Sequence, residues 1–230
     1  MKKKDVWVIS LGGSRIAPKK GKVDFHFIKK FEVLIEKHPD VKFVVVTGGG
    51  ATARNYISAL KKLRQGVKKQ SEAGIAVTRF HASFLSRIFG RKANSVIPMN
   101  MKKVKSLLRK NQVVFSGALR YRKKQTSDGT AASIAAHLKS KFINLTDIKG
   151  IYTENPKTNK KARFIKKISW KNFEKMASGI KFKAGQHFVL DQDAARTILE
   201  KRIPTYIVGS LEDVHSIVSG ESFKGSLVSG

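Results

Sequence analysis

Cysteine is absent from the 230 residues, which rules out disulfides and thiolate metal sites at the outset. Acids are scarce: 16 Asp and Glu stand against 47 Lys and Arg, giving a formal charge of +31. Between Ala73 and Ser127 there is no acid at all, while thirteen Lys and Arg fall in that stretch. A field of that sign attracts nucleotides, nucleic acid or anionic surfaces, and a solvated lysine-rich exterior accounts for it equally. Only five prolines occur. No apolar run approaches the length that spans a bilayer. The start, MKKKDVWVISLGG, is basic like a signal peptide, but its apolar run is short and cut by glycines, so a cytoplasmic protein is expected. The six histidines are scattered without metal-ligand spacing, and His81 and His187 alone stand where a ligand is conceivable. Neither a Walker phosphate loop nor a dinucleotide fingerprint is present.

What is there begins with Lys42–Ile57, KFVVVTGGGATARNYI. The apolar run Phe43–Val46 reads as a strand buried on both faces, and Gly48, Gly49 and Gly50 follow it before a helix carrying Arg54. Strand, glycines and helix make a phosphate-binding layout: bare backbone lets an anion approach, and the helix start offers unpaired N–H groups. Arg54, one turn on, suits a bidentate pair with phosphate oxygens. A tight turn that needs glycine only for its dihedrals is the plain alternative. A second turn of the same design, Gly12-Gly13-Ser14, closes the strand Asp5–Leu11.

Elsewhere the pattern predicts helices over Asp24–His38, Ala51–Leu63, Ala73–Ile88 and Met101–Lys110, with Gly66–Gln70 as a polar connection and Ser95–Pro98 as a short strand. Gln112–Ser116 and Lys141–Thr146 read as strands, and Asp128 as the N-cap of an alanine-rich helix ending at Leu138. Helices near Lys171–Met176, Asp191–Lys201 and Leu211–Val218, a strand at Ile203–Val208 and an edge strand at Gly225–Ser229 complete the chain. Alternating strands and helices predict a three-layer α/β/α sandwich around a mostly parallel sheet. Ligands in such sheets sit outside the carboxyl ends of the strands, where both glycine turns and the Thr146-Asp147 junction fall. Two glycine-lined anion sites, several hydroxyls and Arg54 are close to what phosphoryl transfer needs, since it depends on positioning and charge neutralisation.

Together these motifs resemble the amino acid kinase superfamily, and within it the archaeal type of uridylate (UMP) kinase. The likeness runs in order through ISLGGS (Ile9–Ser14), VTGGGATARNYI (Val46–Ile57), GIAVTRFHASFL (Gly74–Leu85), TSDGTAASIAAHL (Thr126–Leu138), LTDIKGIYTENPK (Leu145–Lys157) and KAGQHFVLDQDAARTI (Lys183–Ile198). It implies transfer of the ATP γ-phosphoryl group to UMP, with Mg²⁺ bound with ATP and no metal site of the protein's own. It further implies one kinase domain over residues 1–230, with residues 1–115 mainly on the acceptor side and 116–230 mainly on the ATP side. Relatives assemble as homo-oligomers, hexamers among them.

By that resemblance Gly13 and Ser14 contact the donor phosphates, Gly50 and Arg54 reach the phosphates between the nucleotides, and Thr146, Tyr152 and Asn155 line the ATP site. Gly48, Gly49, Ser71, Thr126 and Ser127 serve the acceptor. Arg54, Asp147 and Asp191 are the catalytic candidates, and a helix cap is the plain reading of a carboxylate at Asp128, Asp147 or Asp191. The chain also departs from the pattern. Ser10 stands where many members carry lysine, Ser71 where an acid holds the nucleoside sugar, and the loop Ser116–Asp128 is longer and more basic than its counterpart. That loop keeps open a sibling enzyme with another phosphate or carboxylate acceptor. The acid-free segment keeps open a basic nucleic-acid-binding protein on a kinase scaffold.

Overall fold

A computed structural model describes residues 4–18, 22–121, 126–156, 158–179 and 190–230. His187, Arg122, Lys123, Lys124, Lys157 and residues 183–189 of the Lys183–Ile198 match lie outside them. Seven strands form the main sheet in the order β3-β2-β1-β4-β8-β9-β7. These are β1 (Val6–Leu11), β2 (Lys42–Thr47), β3 (Val113–Ser116), β4 (Lys141–Leu145), β7 (Lys167–Ile168), β8 (Thr205–Val208) and β9 (Gly225–Val228). All neighbours pair parallel except β8 and β9. β5 (Ile151–Tyr152) and β6 (Phe164–Ile165) form a separate antiparallel pair.

The apolar runs explain why the sheet is covered on both faces. Side chains alternate along a strand. Ile9, Leu11, Phe43 and Val45 therefore enter one buried cluster, under α2 (Phe25–Glu36), α4 (Val67–Phe89) and α9 (Leu211–Ser219). Val8, Val44 and Val46 enter the other, under α5 (Met101–Lys110), α6 (Ser127–Leu138), α7 (Trp170–Ser178) and α8 (Gln192–Lys201). Ser10 shares the parity of Val8, so a hydroxyl is carried into that second layer. The chain lays β1, β2 and β3 outward in one direction and returns to β4 on the other side of β1. The switch point thus lies at β1 and β4, the place where such sheets bind ligands.

Three local readings are corrected. Gly66–Gln70 is no mere connection: α4 starts at Val67, with Gly66 as its cap. Its lysines form helix readily and lie on a solvated face. Ser95–Pro98 forms no strand. Instead the Asn94 side chain pairs with the edge of β3, its Oδ1 accepting from Phe115 N at 2.7 Å and its Nδ2 donating to Phe115 O at 3.0 Å. With the parallel bridge between Ala93 and Val113, that side-chain amide does there what a strand would do. Finally, β9 is not the edge, because the two-residue β7 pairs outside it.

Candidate active site

The two glycine turns meet. Thr47 is the partner of Leu11 in register, so the chain leaves β1 and β2 side by side, and Gly48 N donates to Leu11 O at 2.8 Å. A Cβ added to Gly13 would lie 2.3 Å from Gly50 N and 2.5 Å from Gly48 O. One added to Gly48 would lie 2.7 Å from Gly13 N. Gly50 adopts φ +57°, a left-handed value that side chains resist, and begins α3 (Gly50–Lys62). Its cap, Gly49, offers no side-chain acceptor, so the first N–H groups of α3 remain open toward the turn. Arg54 is exposed one turn along α3, with no hydrogen-bond or ion-pair partner among the described residues. Bare backbone, helix N–H groups and a free guanidinium together make an anion bed.

The start of α6 forms the facing wall. Thr126 caps this helix, its Oγ1 accepting from Asp128 N at 3.1 Å. The cap is therefore Thr126, and Asp128 lies inside the first turn, which corrects the sequence reading. Ser127 Oγ stands 3.5 Å from where a Gly48 Cβ would be, against the bed itself. Asp128 instead turns to the sheet, and its Oδ1 accepts from Ser10 Oγ at 2.5 Å. Burial, then the negative charge of Asp191, push its carboxyl up to about 7, against an opposing contribution from the Ser10 bond.

Asp191 joins two helices. Its Oδ1 accepts from Ala194 N at 2.7 Å as the cap of α8. Its Oδ2 accepts from Gly129 N at 3.1 Å, Thr126 N at 3.3 Å and Thr126 Oγ1. It therefore sets the pose of Thr126 and Ser127 over the bed.

At the end of β4, Gly12 N donates to Leu145 O at 3.2 Å, bringing the Gly12–Ser14 turn beside Thr146. Arg15 clamps this corner. Its Nε and Nη2 donate to Thr146 O at 3.0 and 2.6 Å, and Nη2 also reaches Gly209 O at the end of β8. Ser14 lies between, in the short α1 (Gly13–Ile16). Asp147 is exposed and accepts from Thr146 Oγ1 at 3.4 Å. Tyr152 and Asn155 are carried further out. The Tyr152 ring packs edge-on against Phe164 at 5.4 Å in the β5–β6 pair, and Asn155 O receives Asn159 N at 2.9 Å in the turn beyond.

On the other side α4 holds the Gly48–Gly50 turn. Buried His81 lies 2.8 Å from Gly48 O through Nδ1, a bond that requires that nitrogen to carry the proton. Thr47 Oγ1 donates to Thr78 O at 2.7 Å, and Arg79 donates to Ala118 O and Leu119 O at 2.9 and 2.8 Å. Ser71, half-buried, sits one turn before Gly74, whose carbonyl would stand 3.7 Å from a Gly49 Cβ. Sequence reasoning passed over Asp128, Arg15 and Arg79 as site residues. The signal for Asp128 was the lone hydroxyl, Ser10, inside an apolar strand, which asks for a polar partner from the covering helix.

Among the described residues no three His, Asp or Glu side chains cluster as a metal cage. The donor set suits Mg²⁺, which keeps waters and phosphates as ligands and takes one or two carboxylates from the protein. Asp128, next in the chain to Ser127 and with no cation among the groups that set its charge, would be the carboxylate available to it.

An open, mostly parallel sheet with a bare-backbone anion bed at its switch point defines a phosphoryl-handling α/β protein of the kinase class. The model of the Amino acid kinase family matches residues 5–209, and the chain belongs to that family. It is 30% identical over 209 residues to the uridylate kinase of Thermococcus kodakarensis, covering 90% of this chain and 92% of that one. It is 31% identical over 217 residues to the uridylate kinase of Archaeoglobus fulgidus, covering 94% and 96%. The crystal structure of uridylate kinase from A. fulgidus superposes with a TM-score of 0.82 at 29% identity, covering 97% and 99% of the two chains. The UMP kinase structure from Ureaplasma parvum, at 19% identity and TM-score 0.80, shares the fold over 99% of this chain and all of that one.

Proposed function

We propose that the chain is an ATP-dependent kinase that transfers the γ-phosphoryl group of ATP to UMP, giving UDP. The observation that carries this reading is the contact between the Gly13 and Gly48–Gly50 turns, with Ser127 against it. One continuous surface of N–H groups then serves both ends of the migrating phosphoryl group. The similarity to archaeal uridylate kinases over nine-tenths of the chain supports UMP as the acceptor.

In this mechanism Gly13 and Ser14 hold the donor phosphates and Gly49 holds the acceptor phosphate. Gly50 N–H and the Arg54 guanidinium neutralise charge between them as an acceptor oxygen attacks the γ-phosphorus in line. Gly48, Ser71, Thr126 and Ser127 position the acceptor. Thr146, Tyr152 and Asn155 line the adenine nucleotide, with Arg15 fixing the Thr146 corner. Mg²⁺ bound with ATP supplies charge neutralisation at the donor phosphates, with Asp128 as its protein carboxylate. Asp191 organises the α6 wall, and exposed Asp147 stands at the mouth of the ATP side. Residues 1–115 act mainly on the acceptor and 116–230 mainly on ATP. Tyr56, Leu63, Val67 and Phe80, all exposed on or between α3 and α4, offer an apolar face for a homo-oligomer. The enzyme acts in the cytoplasm. Among the described residues no helix is long and apolar enough to cross a membrane.

The test is coupled-assay turnover with UMP, CMP, AMP and isopentenyl phosphate as acceptors. UMP is expected to be preferred. Absence of turnover on UMP with clear turnover on another acceptor overturns the assignment while leaving the family intact.

A further inference from the structure

The acid-free stretch from Ala73 to Ser127 is not accounted for by the crevice. Three of its cations, Lys105, Arg109 and Lys110, instead face a groove at the opposite end of the sheet. This groove has a volume of about 920 Å³ and runs under the amino ends of β1 and β2, between the carboxyl ends of α5 and α6. Val6, which lines it, and Leu11, beside the glycine bed, are the two ends of β1, on the order of 15–20 Å apart at ~3.3 Å per residue.

We propose that this groove is a second anion site, built to hold a linear phosphate chain such as that of inorganic tripolyphosphate or a free nucleoside triphosphate. Among the described residues six Lys and Arg line it (Lys4, Lys42, Lys105, Arg109, Lys110 and Lys139), and no Asp or Glu does. The helix ends that point into it account for only part of this charge. Lys42 Nζ already donates to the α5 carbonyls of Leu108 and Arg109, the latter at 2.9 Å. Lys4 Nζ donates to Pro39 O at 2.9 Å and stands 3.7 Å from Asp40. The side chains of Lys105, Arg109, Lys110 and Lys139 are exposed and have no hydrogen-bond or ion-pair partner among the described residues. Lys105 lies more than a turn before the end of α5, beyond the reach of its terminal carbonyls.

Surplus charge of one sign in a concave, low-dielectric setting focuses the field on whatever enters. The cations already disfavour one another: burial, and then the charge of Lys4, lower the pKa of Lys42. An anion relieves that repulsion. The floor is aliphatic, with Val6, Val41, Leu108 and Leu138, and among the described residues no Phe, Tyr or Trp lines the groove. His137 is the one ring among the described lining residues, so successive bases have no stacking platform, which argues for a phosphate chain rather than single-stranded nucleic acid.

The experiment is isothermal titration of the full chain with sodium tripolyphosphate at about 0.1 M salt, where exposed charges still act at groove dimensions. It is repeated on Lys105→Glu/Arg109→Glu and, from the α6 wall, on Lys139→Glu, each checked for fold by circular dichroism. Tripolyphosphate is expected to bind the wild type and to weaken by about tenfold or more in both variants, since charge reversal turns attraction into repulsion. Binding of equal strength in wild type and both variants places the anion elsewhere and overturns the proposal. UTP, titrated in parallel, separates the sources. Groove-dependent UTP binding identifies a free nucleotide, and groove-dependent tripolyphosphate binding without it identifies an inorganic chain. A short single-stranded RNA that binds through these residues, with no tripolyphosphate binding, makes the groove a nucleic-acid surface and also overturns the proposal.

Discussion

Gly13 and Gly50, from turns 37 positions apart, are packed backbone to backbone: a Cβ on Gly13 would stand 2.3 Å from the Gly50 amide nitrogen. No side-chain movement relieves such a contact, since every atom met belongs to the main chain. Gly13→Ala is therefore expected to push the two turns apart, destabilising the fold by about 1–3 kcal/mol, as overpacking does. Displaced donors are also expected to reduce kcat/KM about 100-fold or more, a typical result of misplacement by an ångström. Gly66→Ala, where an added methyl meets nothing within 4 Å, is the control and is expected to retain activity. Thermal unfolding and steady-state kinetics on the pair check both parts.

That junction was legible in the sequence because each turn announces itself locally, with an apolar run followed by glycines, and the parallel sheet then brings the strand ends together. The β3 edge was less legible. Its partners are the one-residue bridge at Ala93 and the side chain of Asn94, which have no periodicity to detect. β7, two residues long, is too short to show alternation, so β9 read as the edge. Asp128 failed for a different reason. An acid at a helix start satisfies the capping pattern, and only the fold reveals that Thr126 caps while Asp128 meets Ser10.

Arg54 separates chemistry from stability. Its side chain is exposed and has no protein partner among the described residues, so its removal leaves the fold intact. Arg54→Ala is expected to leave the melting temperature unchanged while turnover falls about 100- to 1,000-fold, the loss typical of a donor aimed at developing charge. Arg54→Lys is expected to recover only part of it, because an ammonium lacks the bidentate fork. Full activity in Arg54→Ala would make the residue a bystander.

Asp128 makes a pH-dependent contribution whose sign follows from its environment. Its folded pKa, about 7, lies above the ordinary 3.8, because burial and Asp191 disfavour its charge. The folded state therefore holds the proton more tightly than the unfolded chain. The corresponding stability is fully present below about pH 4 and is lost as pH rises through about 7. Asp128→Asn keeps an acceptor for Ser10 and removes the charge. It is expected to be more stable than the wild type at pH 8.5, by on the order of 1–3 kcal/mol, with the difference vanishing near pH 4. Turnover is expected to fall in the same variant. Denaturant unfolding at the two pH values, with kinetics alongside, distinguishes a charge kept for function from one that supports the fold.

The last prediction lies away from the site, where α2 ends against α9. His38 Nε2 and His215 Nδ1 lie 2.9 Å apart, so one ring must donate and the other accept, which two protonated imidazoles cannot do. Burial first, then repulsion by His215 and by Lys37, lowers the pKa of His38 below its ordinary 6.5. For a base lowered on folding, the stability is present above the unfolded value and is lost as pH falls through the folded one. Stability is thus expected to decline as the medium is acidified below about pH 6.5, over a range where Asp128 acts in the opposite direction. His215→Gln, which retains a hydrogen-bonding group without a titrating charge, is expected to shrink that decline. Melting curves between pH 7 and pH 5 for His215→Gln, for Asp128→Asn and for the double variant resolve the two contributions, which add because the groups share no partner. An unchanged acid slope in His215→Gln would show that the imidazole pair is not its source.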